Sequence, residues 1–172
     1  VSWERLFDNY NEVRLFERKI LPPFMKKCRW FGGKAKVISK TAIHKVIPLK
    51  VDGDTHFLAI IEVHYVQRLP EFYFLPLTFV LADSILERVE YTVQSVVCRG
   101  EIQGKAGFIM DSSYDRDFRD FLFVSMAKEL KLKDDEGGVL QFNSGVFAKL
   151  NVKQVESKIL KADQSNTAII YN

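Results

Sequence analysis

Apolar side chains at Leu6, Tyr10, Val13, Phe16 and Ile20 recur at steps of three and four, the stripe of an amphipathic helix over residues 2–28 with one face on a core. Ser2 stands where it could cap the start. Pro22-Pro23 predicts an end or a kink, and residues 24–28 could add a last turn, so the segment reads as one or two helices. From residue 36 to about residue 111 the period changes to two. Phe57, Ala59, Ile61, Val63 and Tyr65 fall on one face of a strand and His56, Glu62 and His64 on the other, the pattern of a sheet wetted on one side. Asp52-Gly53-Asp54 predicts the hairpin turn before that strand. Tyr73, Leu75, Leu77, Phe79 and Leu81 form the next inward face, where Pro76 removes a ladder donor and predicts an edge or a bulge. Residues 92–98 and 104–110 complete a meander of about five strands. A sheet with one apolar face needs a cover, so the expected fold class is α+β, an N-terminal helix packed on an antiparallel meander sheet.

The pattern changes again near Asp111-Ser112-Ser113, which divides the chain into 1–111 and 112–172. Ser112 or Ser113 is a candidate N-cap for the next helix, Asp115 and Asp117 suit its positive end, and Lys128, Lys131 and Lys133 its negative end. Its expected core stripe is Phe118, Phe121, Leu122, Met126 and Leu130, closed by Gly137-Gly138. Residues 139–147, 155–161 and 167–171 then read as strands of a new, incomplete sheet. With Val1 in place of a methionine at the start, this makes a segment of a longer protein the expectation.

Composition narrows the function classes. At 172 residues, 47% hydrophobic and 27% charged, the chain has the balance of a soluble globular protein with room for a domain and part of another. Most of the 14 phenylalanines fall where a core would claim them. The 25 basic residues are interspersed with 22 acidic ones, so the net charge of +3 creates no field that favours nucleic acid. The densest basic run, Lys26-Lys27-Cys28-Arg29 with Lys34 and Lys36, encloses Trp30 and Phe31 as some single-strand binders do, which leaves nucleic-acid binding as the weakest of three readings. No apolar run approaches the roughly 20 residues of a membrane helix. Cys28 and Cys98 lack metal-ligand spacing and no signal peptide accompanies them, so both read as free thiols of a cytoplasmic protein.

Catalytic chemistry is hard to find. There is no P-loop, no glycine-rich kinase loop and no His-x-Asp segment. His56 and His64 are about 26 Å apart on one strand at roughly 3.3 Å per residue and cannot share an ion. Glu62 and His64 are close, but on a solvated face. No catalytic residue and no metal site are therefore expected. Two segments stand out: Arg29-Trp30-Phe31-Gly32-Gly33-Lys34, whose aromatics read as buried plugs for the end of the sheet and whose glycines supply a turn, and Asp163-Gln164-Ser165-Asn166-Thr167, a polar loop between strands.

Taken in order, Trp3-Glu4, Leu21-Pro22, Arg29-Trp30-Phe31-Gly32-Gly33-Lys34, Phe74-Leu75-Pro76-Leu77, Tyr114-Asp115-Arg116-Asp117-Phe118-Arg119 and Gln164-Ser165-Asn166-Thr167 resemble the N-terminal part of maltokinases, including those fused to trehalose synthase. The resemblance implies a curved, cystatin-like cap followed by a helix and the first strands of a kinase-like nucleotide lobe. It also implies a full-length parent that makes maltose 1-phosphate from maltose and ATP with magnesium. Gln164, Ser165, Asn166 and Thr167 would then face the ATP phosphates, with Ala168 standing where the family usually has serine. The phosphate-contacting lysine, catalytic aspartate and metal ligands would lie beyond Asn172, and the partners would be the rest of the kinase and a fused or separate trehalose synthase domain. The rival reading is a stand-alone small-molecule or protein-binding domain that uses the concave face of the sheet, with Trp30 or Tyr73 as a stacking platform.

Overall fold

A computed structural model describes residues 2–85, 92, 94–133, 137–145, 156–160 and 166–172. The N-terminal segment is helical almost throughout: a 3-10 turn at Trp3–Asp8, α1 at Tyr10–Leu15, a π segment at Phe16–Ile20 and α2 at Leu21–Lys27. Ser2 makes no capping bond. Asn9 caps instead, its side chain accepting from the N–H of Asn11 and Glu12 at 3.0 and 3.3 Å. Pro22 and Pro23 do not end the run. The Leu21 N–H reaches back to the Phe16 carbonyl, one residue further than in an α-helix, and this widened turn places the prolines in the first turn of α2, where a missing donor is harmless.

Five antiparallel strands follow: β1 Ile38–Val51, β2 Asp54–Tyr65, β3 Arg68–Leu81, β4 Val96–Ile102 and β5 Lys105–Asp111. Asp52 and Gly53 (φ 47° and 88°) turn the first hairpin, and Gln103 and Gly104 (φ 52° and 75°) turn the last, both with the paired positive φ of a type I′ turn. The meander holds through β3. The last hairpin then enters reversed, giving the order β1-β2-β3-β5-β4, and β4 lies further along the chain than the expected 92–98. Since β5 pairs with β3 only at residues 77–81, residues 68–76 of β3 have no strand on that side among the described residues. Pro76 sits at the last position of this bare edge, where its missing donor costs no ladder bond.

Trp3, Phe16, Leu21, Phe24 and Met25 from the helical segment, with Phe31 from the turn after it, are buried against Phe57, Ala59, Ile61, Val63, Leu75 and Leu77. Trp3 stands edge-on to Phe57 at 5.0 Å, and its indole N–H donates to the Thr55 carbonyl at 2.7 Å, so the ring's polar atom is satisfied inside the core. This face of the sheet is therefore filled by the chain's own helices.

The opposite face is not simply wetted. His56, expected in water, is fully buried: its register places it beside Leu49 and Thr78, under α3 at Arg116–Ala127. The imidazole stacks on Phe118 at 5.3 Å and 13°, with Nδ1 3.0 Å from Ser112 Oγ. Phe118 closes a second core with Leu49, Val51 and Leu58. Alternation assigns His56 to the correct face but cannot show that a later helix covers it. Glu62 and His64, at the other end of that face, remain partly exposed and lie 3.2 Å apart.

The cap of α3 is Asp115, which accepts from the Asp117 N–H at 3.0 Å; Ser112 and Ser113 belong to a preceding 3-10 turn capped by Asp111. The helix also stops well before Gly137. Glu129 takes φ 50°, its N–H bonds the Met126 carbonyl and the Leu130 N–H bonds the Ser125 carbonyl, a Schellman ending built without glycine. Two short hairpins follow: β6 Lys131–Lys133 with β7 Val139–Gln141, and β8 Ser157–Ile159 with β9 Ile169–Tyr171. β6 was not expected, because its lysines read as the end of the helix. Residues 146–155 and 161–165 of the expected strands and loop lie outside the described residues.

Candidate functional site

The Arg29-Trp30-Phe31-Gly32-Gly33-Lys34 turn begins as α2 ends. Phe31 donates its N–H to the Cys28 carbonyl at 3.3 Å and is buried. Trp30, expected to be equally buried, is only partly so, packed 5.9 Å from Tyr73. Gly33 is required by space and not by an unusual backbone angle: a Cβ there would overlap the Tyr65 hydroxyl and the Phe31 ring. A polar clasp ties this turn to β3. Glu71 accepts from the Tyr65 and Tyr73 hydroxyls at 2.8 and 2.7 Å and pairs with Lys36, whose ammonium lies 4.8 Å from the centre of the Tyr65 ring. The Lys36 bond first, then those from Tyr73 and Tyr65, hold the Glu71 carboxyl down to about 2. Burial first of all pushes the Tyr73 phenol up.

Beside the clasp lies a cavity of about 500 Å3. Trp30 and Tyr73 form one wall, and Phe72, Phe74 and Pro76 bring in the bare edge of β3. Asp111, Ser113 and Phe118 supply the floor from the junction into α3, and Asn166 and Thr167 reach it from the turn before β9. Trp30 and Asn166, 136 positions apart in the chain and in segments singled out separately in the sequence, thus meet around one space. Of the expected site residues, Trp30, Asn166 and Thr167 line it, Phe31 belongs to the core, Gly32 and Lys34 are exposed, and Arg29 is half-buried. Gln164 and Ser165 lie outside the described residues.

Residues 24–115 match the family model of the maltokinase N-terminal cap domain. The chain belongs to that family. No curated protein matches it. The matched span runs from α2, through the Trp30 turn and all five strands, to the residue that caps α3. The cap domain therefore contributes most of the cavity wall, and Asn166 and Thr167 are brought to it from outside the matched span.

Electrostatically the cavity is unusual in one respect. Among the described residues lining it, Asp111 is the one carboxylate and none is basic. Asp111 is 2% exposed, and burial pushes its carboxyl up to about 6, even though the Ser113 N–H, donating at 2.9 Å, works in the other direction. Asp111 escaped notice in the sequence because it reads as an ordinary turn residue before a helix. Asn166 and Thr167 offer only neutral groups, so this wall by itself holds an anion weakly. Burial, with the nearby Asp111 charge second, pushes the Cys28 thiol up, and burial raises Cys98 to about 11, so neither thiol is activated as a nucleophile. Among the described residues no group of three or more His, Cys, Asp or Glu side chains could hold a metal ion, and no helix is long and apolar enough to cross a membrane.

Proposed function

We propose that this chain is the non-catalytic N-terminal part of a maltose kinase, whose full-length form converts ATP and maltose to maltose 1-phosphate. In this reading residues 1–111 are the cap and 112–172 begin the nucleotide lobe. The observation that carries it is the meeting of Trp30, from the cap-family turn, with Asn166 and Thr167 around one cavity. The cap then has a structural or regulatory role, bracing the loop of Gln164, Ser165, Asn166 and Thr167 beside the ATP phosphates. Magnesium and a lysine supplied by the rest of the kinase chain would provide the charge that these neutral groups lack. A trehalose synthase domain is the further partner, and the cytoplasm the setting, of such an enzyme.

The chain alone should neither release ADP from ATP in the presence of maltose and magnesium nor bind ATP measurably, whereas the complete kinase should do both. Turnover above blank by residues 1–172 would sink this reading. The second reading, a small-molecule binding module, is favoured by the same cavity, whose volume lies within the ordinary range for ligand sites. It keeps Trp30 and Tyr73 as platforms but places the ligand at the bare edge of β3, since the face first considered is occupied by the N-terminal helices.

A further inference from the structure

Arg119, on α3, is 3% exposed, and arginine is rarely buried so deeply without strong partners. Its guanidinium donates from Nη1 to the Ser113 carbonyl at 3.0 Å, from Nε to Ser157 Oγ at 2.9 Å and from Nη2 to the Ser157 carbonyl at 3.3 Å. Tyr171 returns a bond, its hydroxyl donating to the Arg119 carbonyl at 2.9 Å. Ser157 and Tyr171 stand opposite each other in the β8–β9 register, so one helical residue grips both strands at the same rung. Phe123 packs on Tyr171 from the same helix, with ring centres 4.7 Å apart.

From that rung the hairpin runs to the pairing of the Leu160 N–H with the Ala168 carbonyl at 2.9 Å, and then into the loop that carries Asn166 and Thr167. Three residues at roughly 3.3 Å each put the loop about 10 Å from the anchor. A tilt of about 10° at Arg119 would move the loop by about 2 Å, more than a hydrogen bond tolerates. The planar fork of an arginine holds two atoms of Ser157 at once and so fixes direction as well as distance, which a lysine ammonium cannot do.

We propose that Arg119 is the positioning residue that aims the β8–β9 hairpin, and with it the loop containing Asn166 and Thr167, at the cavity beside Trp30; its consequence for ATP rests on the nucleotide-loop reading above. Arg119→Met should speed hydrogen exchange at the Leu160 and Asn172 amides by about tenfold or more while leaving those of Ile61 and Leu75 in the sheet unchanged. Arg119→Lys should fall between the two. In the complete kinase chain, Arg119→Met should weaken ATP binding by about tenfold, in the direction of a variant with Ser165, Asn166 and Thr167 all changed to Ala. If Arg119→Met also loosens the sheet, Ser157→Ala, which removes the hydroxyl that accepts from the Arg119 Nε–H and leaves the helix unchanged, gives the same readouts. Unchanged exchange in the hairpin overturns the proposal. So does a loosened hairpin with unaltered ATP affinity, provided the triple loop variant loses affinity; the nucleotide reading then survives. If the triple variant itself binds ATP normally, the nucleotide reading fails and Arg119 has no such role.

Discussion

Phe118→Ala removes the ring on which the second layer of the molecule rests. The side chain is fully buried, stacked on His56 and enclosed by Leu49, Val51 and Leu58. Taking away roughly 150 Å2 of apolar surface at about 25 cal/mol per Å2 gives ~4 kcal/mol. Truncations of buried phenylalanine cost about 3–5 kcal/mol, so the two figures agree. That is a large share of the 5–15 kcal/mol typical of a whole domain. Urea titration in a Trp30→Phe background, where the fluorescence comes from Trp3 alone, reads the other core on the far face of the sheet. If α3 and the sheet unfold as one unit, Trp3 should report the full loss although it never touches Phe118. A fall of less than about 1 kcal/mol by this probe, with the urea dependence unchanged, would refute the claim that the helix and sheet form one cooperative structure.

Unfolded, an aspartate titrates near 4, whereas folded Asp111 does so at about 6. The native state therefore holds this proton more tightly, and the stability it contributes is complete below about pH 4 and lost as pH rises through 6. Asp111→Asn, which keeps an acceptor for the Ser113 N–H, should flatten the melting temperature between pH 4 and 6, a span of up to about 3 kcal/mol, and a slope identical to the parent's would contradict the assignment. Gly33→Ala should cost about 1–3 kcal/mol by overpacking against Tyr65 and Phe31, and adding Tyr65→Phe should return part of that loss in thermal melts. Phe31→Ala should cost about 3–5 kcal/mol but Trp30→Ala less than about 2, since Trp30 faces the cavity; equal losses would place Trp30 in the core after all.

How far the sequence could be read depended on whether a residue's surroundings are local. The strand alternation through Phe57 and Tyr65, the Asp52-Gly53 turn and the edge at Pro76 all follow from neighbours a few positions away, and they stand as expected. The burial of His56 and the exposure of Trp30 depend on α3 and on the cavity, which no local period encodes. Arg119 and Phe123 were missed for a related reason. A single stripe was expected on α3, but the helix is buried on two sides, by the sheet and by the β8–β9 hairpin. The Glu129 ending was hidden because a non-glycine residue takes the position where glycine is the usual signal.

The reversed entry of the last hairpin leaves residues 68–76 of β3 with one row of main-chain groups unpaired by any described strand, beside Leu69, Phe72 and Phe74, which are 86%, 57% and 55% exposed. An apolar edge of this kind is a template on which further chains can add as strands, the first step towards fibrous aggregates. Here Pro70 and Pro76 interrupt it near either end, and Arg68 and Glu71 set charges along it. A strand arriving at this edge would find donors missing at two positions and charges to desolvate. The proline that marks the edge in the sequence thus also works as a gatekeeper, letting the molecule keep an open aromatic rim for its cavity without becoming a seed for its own precipitation.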